Sequence, residues 1–112
     1  MLVVSNTSPL LSLAIIGQLS LLREQFVEIL IPPAVLAELR VDERLPGSAA
    51  LREALDAGWV RVEEIEDRPF VQILQRDLDH GEAEAVALAM QVNAEWTLLD
   101  EREARRIASR WG

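Results

Sequence analysis

The sequence predicts an α/β sandwich built on a mostly parallel sheet. Two observations carry that prediction. Four short strand-like runs, at residues 2–5, 27–31, 59–62 and 95–99, are separated by stretches whose apolar side chains recur at helical spacing. Three of the runs lead straight into helix-opening residues: Asn6-Thr7-Ser8-Pro9, Pro32-Pro33 and Asp100. The length, 112 residues and 12.5 kDa, bounds the reading to one domain over residues 1–112, with one core and not two.

Taken in order, Leu2-Val3-Val4-Ser5 reads as a buried strand, rich in β-branched residues. Ser8 is the predicted N-cap of the first helix, with Pro9 at its first position, and Gly17 suits its left-handed end. A short helix follows over 18–25, then a strand over 27–31 stopped by Pro32-Pro33. The second proline opens a helix through Leu39, with Val35, Leu36 and Leu39 at core spacing. Residues 41–48 are a polar loop, and residues 49–57 form a helix closed by Gly58. Trp59-Val60-Arg61-Val62 alternates as a strand does, before the acidic stretch 63–67. A helix is predicted over 70–78, and Asp79-His80-Gly81 reads as a break. Residues 82–92 form an Ala-rich helix with Ala83, Val86, Ala87 and Met90 as its apolar stripe; the strand 95–99 and a last helix over 101–110 complete the chain.

Composition removes several chemistries. There is no Cys, so disulfides, thiolate metal sites and Cys nucleophiles are excluded. All 11 basic residues are Arg, which excludes lysine Schiff bases and a P-loop lysine. Tyr is absent, and His80 is the single histidine through which any Ser-His-Asp triad would have to run. Carboxylates are the remaining resource, 13 Glu and 6 Asp. The net charge of −8 argues against a protein that coats nucleic acid by bulk electrostatics, but is compatible with carboxylates that bind a metal. The charge is uneven: residues 101–112 carry +2 and residues 1–100 carry −10. The most apolar run, residues 9–16, is about half of the ~20 residues a membrane span needs. No basic residue precedes it, so it does not read as a signal peptide, and the expected location is cytoplasmic, with no membrane partner.

In an open parallel sheet, sites form outside the carboxyl ends of the strands. Asn6 and Asp100 each follow a strand directly, which brings them to the same edge. Glu38 lies in the helix after the second strand, and Glu82 opens the Ala-rich helix. Hard cations such as Mg²⁺ or Mn²⁺ take oxygen ligands of this kind and serve phosphodiester hydrolysis. Each residue also has a plain structural use: Asn6 in a turn, Glu38 on a solvated helix face, Glu82 at a helix dipole, Asp100 as an N-cap.

Four motifs together resemble the PIN-domain nucleases, above all the VapC-like toxins and a less characterised branch near them. They are Val3-Val4-Ser5-Asn6-Thr7-Ser8-Pro9-Leu10, Ile31-Pro32-Pro33-Ala34-Val35-Leu36-Ala37-Glu38-Leu39, Gly81-Glu82-Ala83-Glu84-Ala85, and Leu98-Leu99-Asp100-Glu101-Arg102-Glu103-Ala104-Arg105. The resemblance spans essentially the whole chain. It implies a three-layer α/β/α sandwich, Mg²⁺- or Mn²⁺-dependent cleavage of RNA, and an acidic quartet falling on Asn6, Glu38, Glu82 and Asp100. It further implies a toxin held in check by an antitoxin protein. The chain departs from that pattern in three places. Asn6 stands where the first acid is usually Asp, Glu82 where the third is commonly Asp, and Trp111-Gly112 ends the sequence before the usual last strand. The last departure implies either truncation or a sheet completed by a partner.

Glu82 and Glu84 compete for the third position, because helical residues two apart point roughly 200° apart. Glu82 leads into Val86 and Ala89 and is the expected inward residue. Thr7 and Ser8 are candidates for a metal water or a phosphate, and Arg102, Arg105, Arg106 and Arg110 for RNA phosphates or for a solvated face paired with Glu101 and Glu103. Trp59, Trp96 and Trp111 are expected in the core or at an interface, and apolar surface near Trp96 and Trp111 points to a homodimer. Two functions follow: a metal-dependent endoribonuclease, or a PIN-fold module that binds nucleic acid or protein with little or no activity. Asn6 discriminates them, since an amide oxygen ligates a cation without charge and cannot act as a base.

Overall fold

A computed structural model describes residues 2–111, and side chains for residues 2–109. Its elements run β1 (Val3–Ser5), α1 (Thr7–Ile15), α2 (Ser20–Gln25), β2 (Ile29–Ile31), α3 (Pro33–Leu39), α4 (Ser48–Ala57), β3 (Val60–Val62), α5 (Arg68–Leu74), α6 (His80–Gln91), β4 (Trp96–Leu98) and α7 (Glu101–Trp111). The four strands form one sheet in the order β3-β2-β1-β4, and every neighbouring pair is parallel.

The order follows from where the chain turns back. From β1 it winds outward through β2 to β3, then returns across the sheet to pair β4 with the other side of β1. The return sends its helices to the opposite face. On one side Val3, Ile29, Ile31 and Val60 pack with Leu10, Ala14, Val35, Leu39, Leu51 and Ala54 of α1, α3 and α4. On the other, Val4 and Leu30 pack with Val71, Leu74, Ala83, Ala87 and Leu88 of α5 and α6. Successive strand residues feed opposite layers, as a period of two requires, and a parallel sheet covered on both faces needs no polar alternation. The result is a three-layer α/β/α sandwich.

Several boundaries differ from the sequence reading. Asn6, not Ser8, is the N-cap residue of α1, and it makes no side-chain capping bond because its amide is turned elsewhere. Pro9 therefore stands third in the helix, still within the turn whose N–H groups lack partners. The predicted break at 79–81 is the start of α6: Asp79 caps it and His80 and Gly81 belong to its first turn. The helix expected over 70–78 is α5 and starts two residues earlier, because the Asp67 carboxylate accepts from the Phe70 N–H, 3.0 Å away. Met90 is 65% exposed and falls off the apolar stripe, whose buried members are Ala83, Ala87 and Leu88. Trp59 is in the core, whereas Trp96 is 57% exposed on β4; the Trp111 side chain lies outside the described residues. Gly47 is required by packing: its φ is +85°, and a Cβ there would meet the Ala14 Cβ at 2.9 Å. Among the described residues no helix is long and apolar enough to cross a membrane.

Glu84 locks the two helical layers together. It is fully buried on α6 and accepts the Ala34 N–H at the start of α3, at 2.8 Å, together with the Arg68 guanidinium of α5. His80 Nε2 lies 3.0 Å from the same carboxylate. Burial alone would push the Glu84 carboxyl up, but Arg68, the Ala34 N–H and His80 together hold it below the ordinary carboxylate range. A depressed carboxyl stabilises the fold above its unfolded-state pKa and loses that contribution as pH falls through the folded value. Glu84→Gln is therefore expected to lower stability by about 1–2 kcal/mol at pH 7, or roughly 4–8 °C in Tm. The gap between variant and parent closes as pH is taken from 5 toward 3, about the ordinary carboxylate range. Thermal melts across that range check it, and a gap that stays constant with pH contradicts it.

Candidate functional site

The reversal of strand order between β1 and β4 falls at the carboxyl edge of the sheet, the place where ligands bind in the crevice of open parallel folds. The Asn6 N–H donates to the Leu98 carbonyl at 3.0 Å and so holds the two strand ends together. Asn6 follows β1, and Asp100 lies two residues past β4, immediately before α7. The sequence placed both on this edge, and the structure does the same.

Two matching helix starts bring the acids in. At α6, the Asp79 carboxylate accepts the Glu82 N–H at 2.8 Å, and Glu82 Oε1 accepts the Asp79 N–H at 3.4 Å. At α7, the Asp100 carboxylate accepts the Glu103 N–H at 2.8 Å, and Glu103 Oε1 accepts the Asp100 N–H at 2.9 Å. These are two reciprocal capping boxes, Asp79 with Glu82 and Asp100 with Glu103, and each carries an inward-turned Glu. Glu103 and Asp79 were missed as site residues in the sequence, although the repeated Asp-x-x-Glu spacing before a helix was the signal that would have found them.

The centre of the crevice is buried. Asn6 is 2%, Glu82 1% and Glu103 8% exposed. The Asn6 amide donates from Nδ2 to Glu103 Oε2 at 2.5 Å, which leaves Asn6 Oδ1 buried with no hydrogen-bond partner. The reverse amide orientation would set an oxygen against a carboxylate, so the orphaned atom is forced by Glu103. Arg106 donates from Nε and Nη2 to Glu82 Oε2, at 3.1 and 2.9 Å.

The charges are mutually unfavourable. Burial pushes the Glu82 carboxyl above the ordinary range; Arg106 pulls it back, while the Asp79 carboxylate adds to the rise. Burial does the same to Glu103, helped by the charges of Asp100, Glu82 and Asp79. Glu84, equally buried on the same helix, is shifted the opposite way. Both glutamates are buried, on separate sides of α6, so the choice between them is not one of exposure. Glu84 is surrounded by donors, and Glu82 by other acids. Carboxylates pushed up chiefly by burial, and further by neighbouring acids, make this cluster the candidate site, whereas the satisfied Glu84 ion pair serves the fold.

The remaining sequence candidates are placed around this centre. Glu38 is exposed; its carboxylate accepts the Thr7 hydroxyl at 2.7 Å and lies over Gly81, where a Cβ would overlap it. It thus flanks Asn6 and Glu82 through their chain neighbours without bonding to either. Ser8 is half-buried in the first turn of α1. Arg102 is exposed, Arg105 pairs with the exposed Glu101, and the Arg110 side chain lies outside the described residues. Arg106 faces the acids and not the solvated pairing with Glu101 and Glu103 that the sequence suggested.

The donors are all hard oxygens, and one of them is a buried amide oxygen with nothing to bind. That chemistry fits a divalent cation such as Mg²⁺ or Mn²⁺. Among the described residues no three acidic or imidazole side chains are gathered closely enough to hold one as they stand. The Asn6 amide and the Arg106 guanidinium occupy the intervening positions.

Asn6→Asp tests the arrangement without any ligand. It replaces the Nδ2 donor by a carboxylate facing Glu103, with an expected loss of about 1–3 kcal/mol in metal-free buffer at pH 7. The double variant Asn6→Asp/Glu103→Gln exchanges donor and acceptor and is expected to recover most of that loss. Denaturant unfolding of the four proteins of this cycle measures the coupling; additive effects would separate Asn6 from Glu103.

No curated protein and no solved structure was found to match the chain. A family model described as the PIN domain matches residues 2–112. The fold is thus of the nuclease type, and the chain belongs to the PIN-domain family.

Proposed function

We propose that this protein is a Mg²⁺- or Mn²⁺-dependent endoribonuclease of the VapC-like type, the toxin of a toxin–antitoxin pair. The observation that supports it most is the buried, unpartnered Asn6 Oδ1 among carboxylates that burial, and then their acidic neighbours, push up. Glu82, Glu103 and Asp100 would hold the cation with Asn6 Oδ1, and Glu38 would close the rim beside Thr7. When bound there, a hard divalent ion supplies a lowered water pKa and neutralises charge on a phosphodiester. The chain's own residues do the rest. Glu103 holds the Asn6 amide through Nδ2 and so leaves Oδ1 without a partner. The capping boxes fix the Glu82 and Glu103 backbones at the starts of two helices, where four N–H groups and the dipole favour anions. Burial under α6 and α7 limits the water that competes for these oxygens. Exposed Arg102, on the same helix as Glu103, would take an RNA phosphate, whereas Arg105 is engaged by Glu101.

The same contacts favour a second reading. With Asn6 bonded to Glu103 and Arg106 to Glu82, two acids are already partly satisfied. A PIN-fold module that binds nucleic acid or protein without cleaving it would look like this. Calorimetric Mn²⁺ titration with cleavage of a mixed RNA pool separates the two. The nuclease reading expects binding, cleavage, and loss of both by at least about 100-fold in Glu82→Ala or Asp100→Ala. It also expects Asn6→Asp to bind Mn²⁺ more tightly and cleave faster, because ligand charge sets affinity for such ions. Mn²⁺ binding without cleavage of any RNA would promote the binding module.

We also propose a homodimer. Trp96 is 57% exposed on β4, an outer strand of the described sheet whose only partner there is β1. A large exposed aromatic beside an unpaired strand edge favours association. Light scattering at micromolar concentration is expected to give twice the chain mass, and Trp96→Glu to give the monomer. A monomeric parent removes the proposal.

A further inference from the structure

Helix α7 carries Asp100, Glu103 and Arg106 at spacings of three, so these three residues share the face turned to the crevice, Asp100 as the residue just before the helix. Arg105, one residue away, points out and pairs with Glu101. The same helix face thus supplies an acid to the cluster and also a cation to neutralise it. Arg106 gives both of its bonds to a single oxygen of Glu82. The two partners are unequal: the Glu82 side chain is 1% exposed and the Arg106 side chain 43%. The Glu82 carboxylate is shielded from solvent by its surroundings, whereas a guanidinium on a flexible stem swings out and is hydrated at small expense. A second feature, independent of the pair, points to a ligand. Asn6 Oδ1 is buried, unpartnered and held beside Glu103, an oxygen that a guanidinium at Glu82 leaves unsatisfied.

We propose that Arg106 is the resident counter-cation of the carboxylate cluster, held on Glu82 until a divalent cation displaces it. The inference rests on the metal-binding reading above and adds a competitor supplied by the chain itself. Without a metal, Arg106 spares the fold an unpaired buried carboxylate. With one, the Glu82 oxygen must be given up, so part of the binding free energy is spent on moving the guanidinium. Such a site binds its metal more weakly than its ligand set would allow, and the weakening is lodged in one side chain.

The test is Mn²⁺ titration by calorimetry of the metal-stripped parent, Arg106→Gln, Arg106→Lys and Arg105→Gln, with Tm measured for each with and without Mn²⁺. Arg106→Gln is expected to bind Mn²⁺ about tenfold more tightly than the parent, the value of one charge-assisted hydrogen-bonded pair. Arg106→Lys, a point charge without the fork, falls between the two. Arg105→Gln removes the same net charge from an exposed position on the same helix and stays within about twofold. Without Mn²⁺, Arg106→Gln melts below the parent, and its Mn²⁺-induced rise is the larger of the two. Should Arg106→Gln not fold, Arg106→Lys alone decides, since its affinity must exceed the parent's. Equal Mn²⁺ affinity in the parent and both Arg106 variants overturns the inference and leaves Arg106 a structural pair. Absence of Mn²⁺ binding in every protein, Arg106→Gln included, overturns the metal reading itself and the inference with it.

Discussion

Pairing β4 with the inner side of β1 is the constraint on which the rest of this molecule depends. Had the chain continued outward past β3, all its helices would have wound on in one sense and the ends of β1 and β4 would never have met. The return puts α5 and α6 on the face opposite α1 and α4, which is why Val3 and Val4 belong to different cores. It also leaves a gap in the helical cover above the β1 and β4 ends. The residues just after those strands and at the starts of α6 and α7 meet there, with Glu38 of α3 beside them. Asn6, Asp79, Glu82, Asp100 and Glu103 all come from these places.

The second constraint is electrostatic. A chain of net charge −8 buries Glu82 and Glu84 two residues apart on one helix. Two buried carboxylates so close are tolerated only if they face different surroundings. Glu84 obtains a backbone N–H, a guanidinium and an imidazole from three elements, and in return joins α3 to α6. Glu82 obtains a reciprocal cap and one arginine while facing the carboxylates of Asp79 and Glu103. One carboxylate is spent on holding layers together, the other is kept under electrostatic stress. Two buried carboxylates within one turn of the same helix are thereby held in opposite electrostatic surroundings.

Much of this was legible in the amino acids. The strands were visible as short apolar runs, and the edge positions of Asn6 and Asp100 followed from parallel topology alone. Glu82 was found through its spacing to Val86 and Ala89. What was not legible depended on contacts between distant elements. Glu103 looked like half of a solvated pair because its partner Asn6 is 97 residues away. Arg106 looked like a phosphate ligand because nothing local shows that it crosses from α7 to α6. The first turn of α6 was read as a break, since Asp-His-Gly is turn-like until the cap of Asp79 on Glu82 is seen. Glu84 was set aside by helical geometry that assumed one buried face, whereas α6 is enclosed on several sides through most of its first half.

The 97-residue separation between Asn6 and Glu103 also orders events in time. Chain synthesis proceeds at roughly 5–20 residues per second, and segments fold as they emerge. During most of that interval β1 can pair with β2, and α1, α3 and α4 can cover one face. Its other edge must wait. The Glu103 carboxylate that holds the Asn6 amide and the arginine that pairs with Glu82 both come from α7, so neither contact exists on a nascent chain that has not yet delivered that helix. A nascent chain that has delivered only the elements through β3 can therefore cover one face of the sheet, but it holds neither the Asn6–Glu103 nor the Glu82–Arg106 contact.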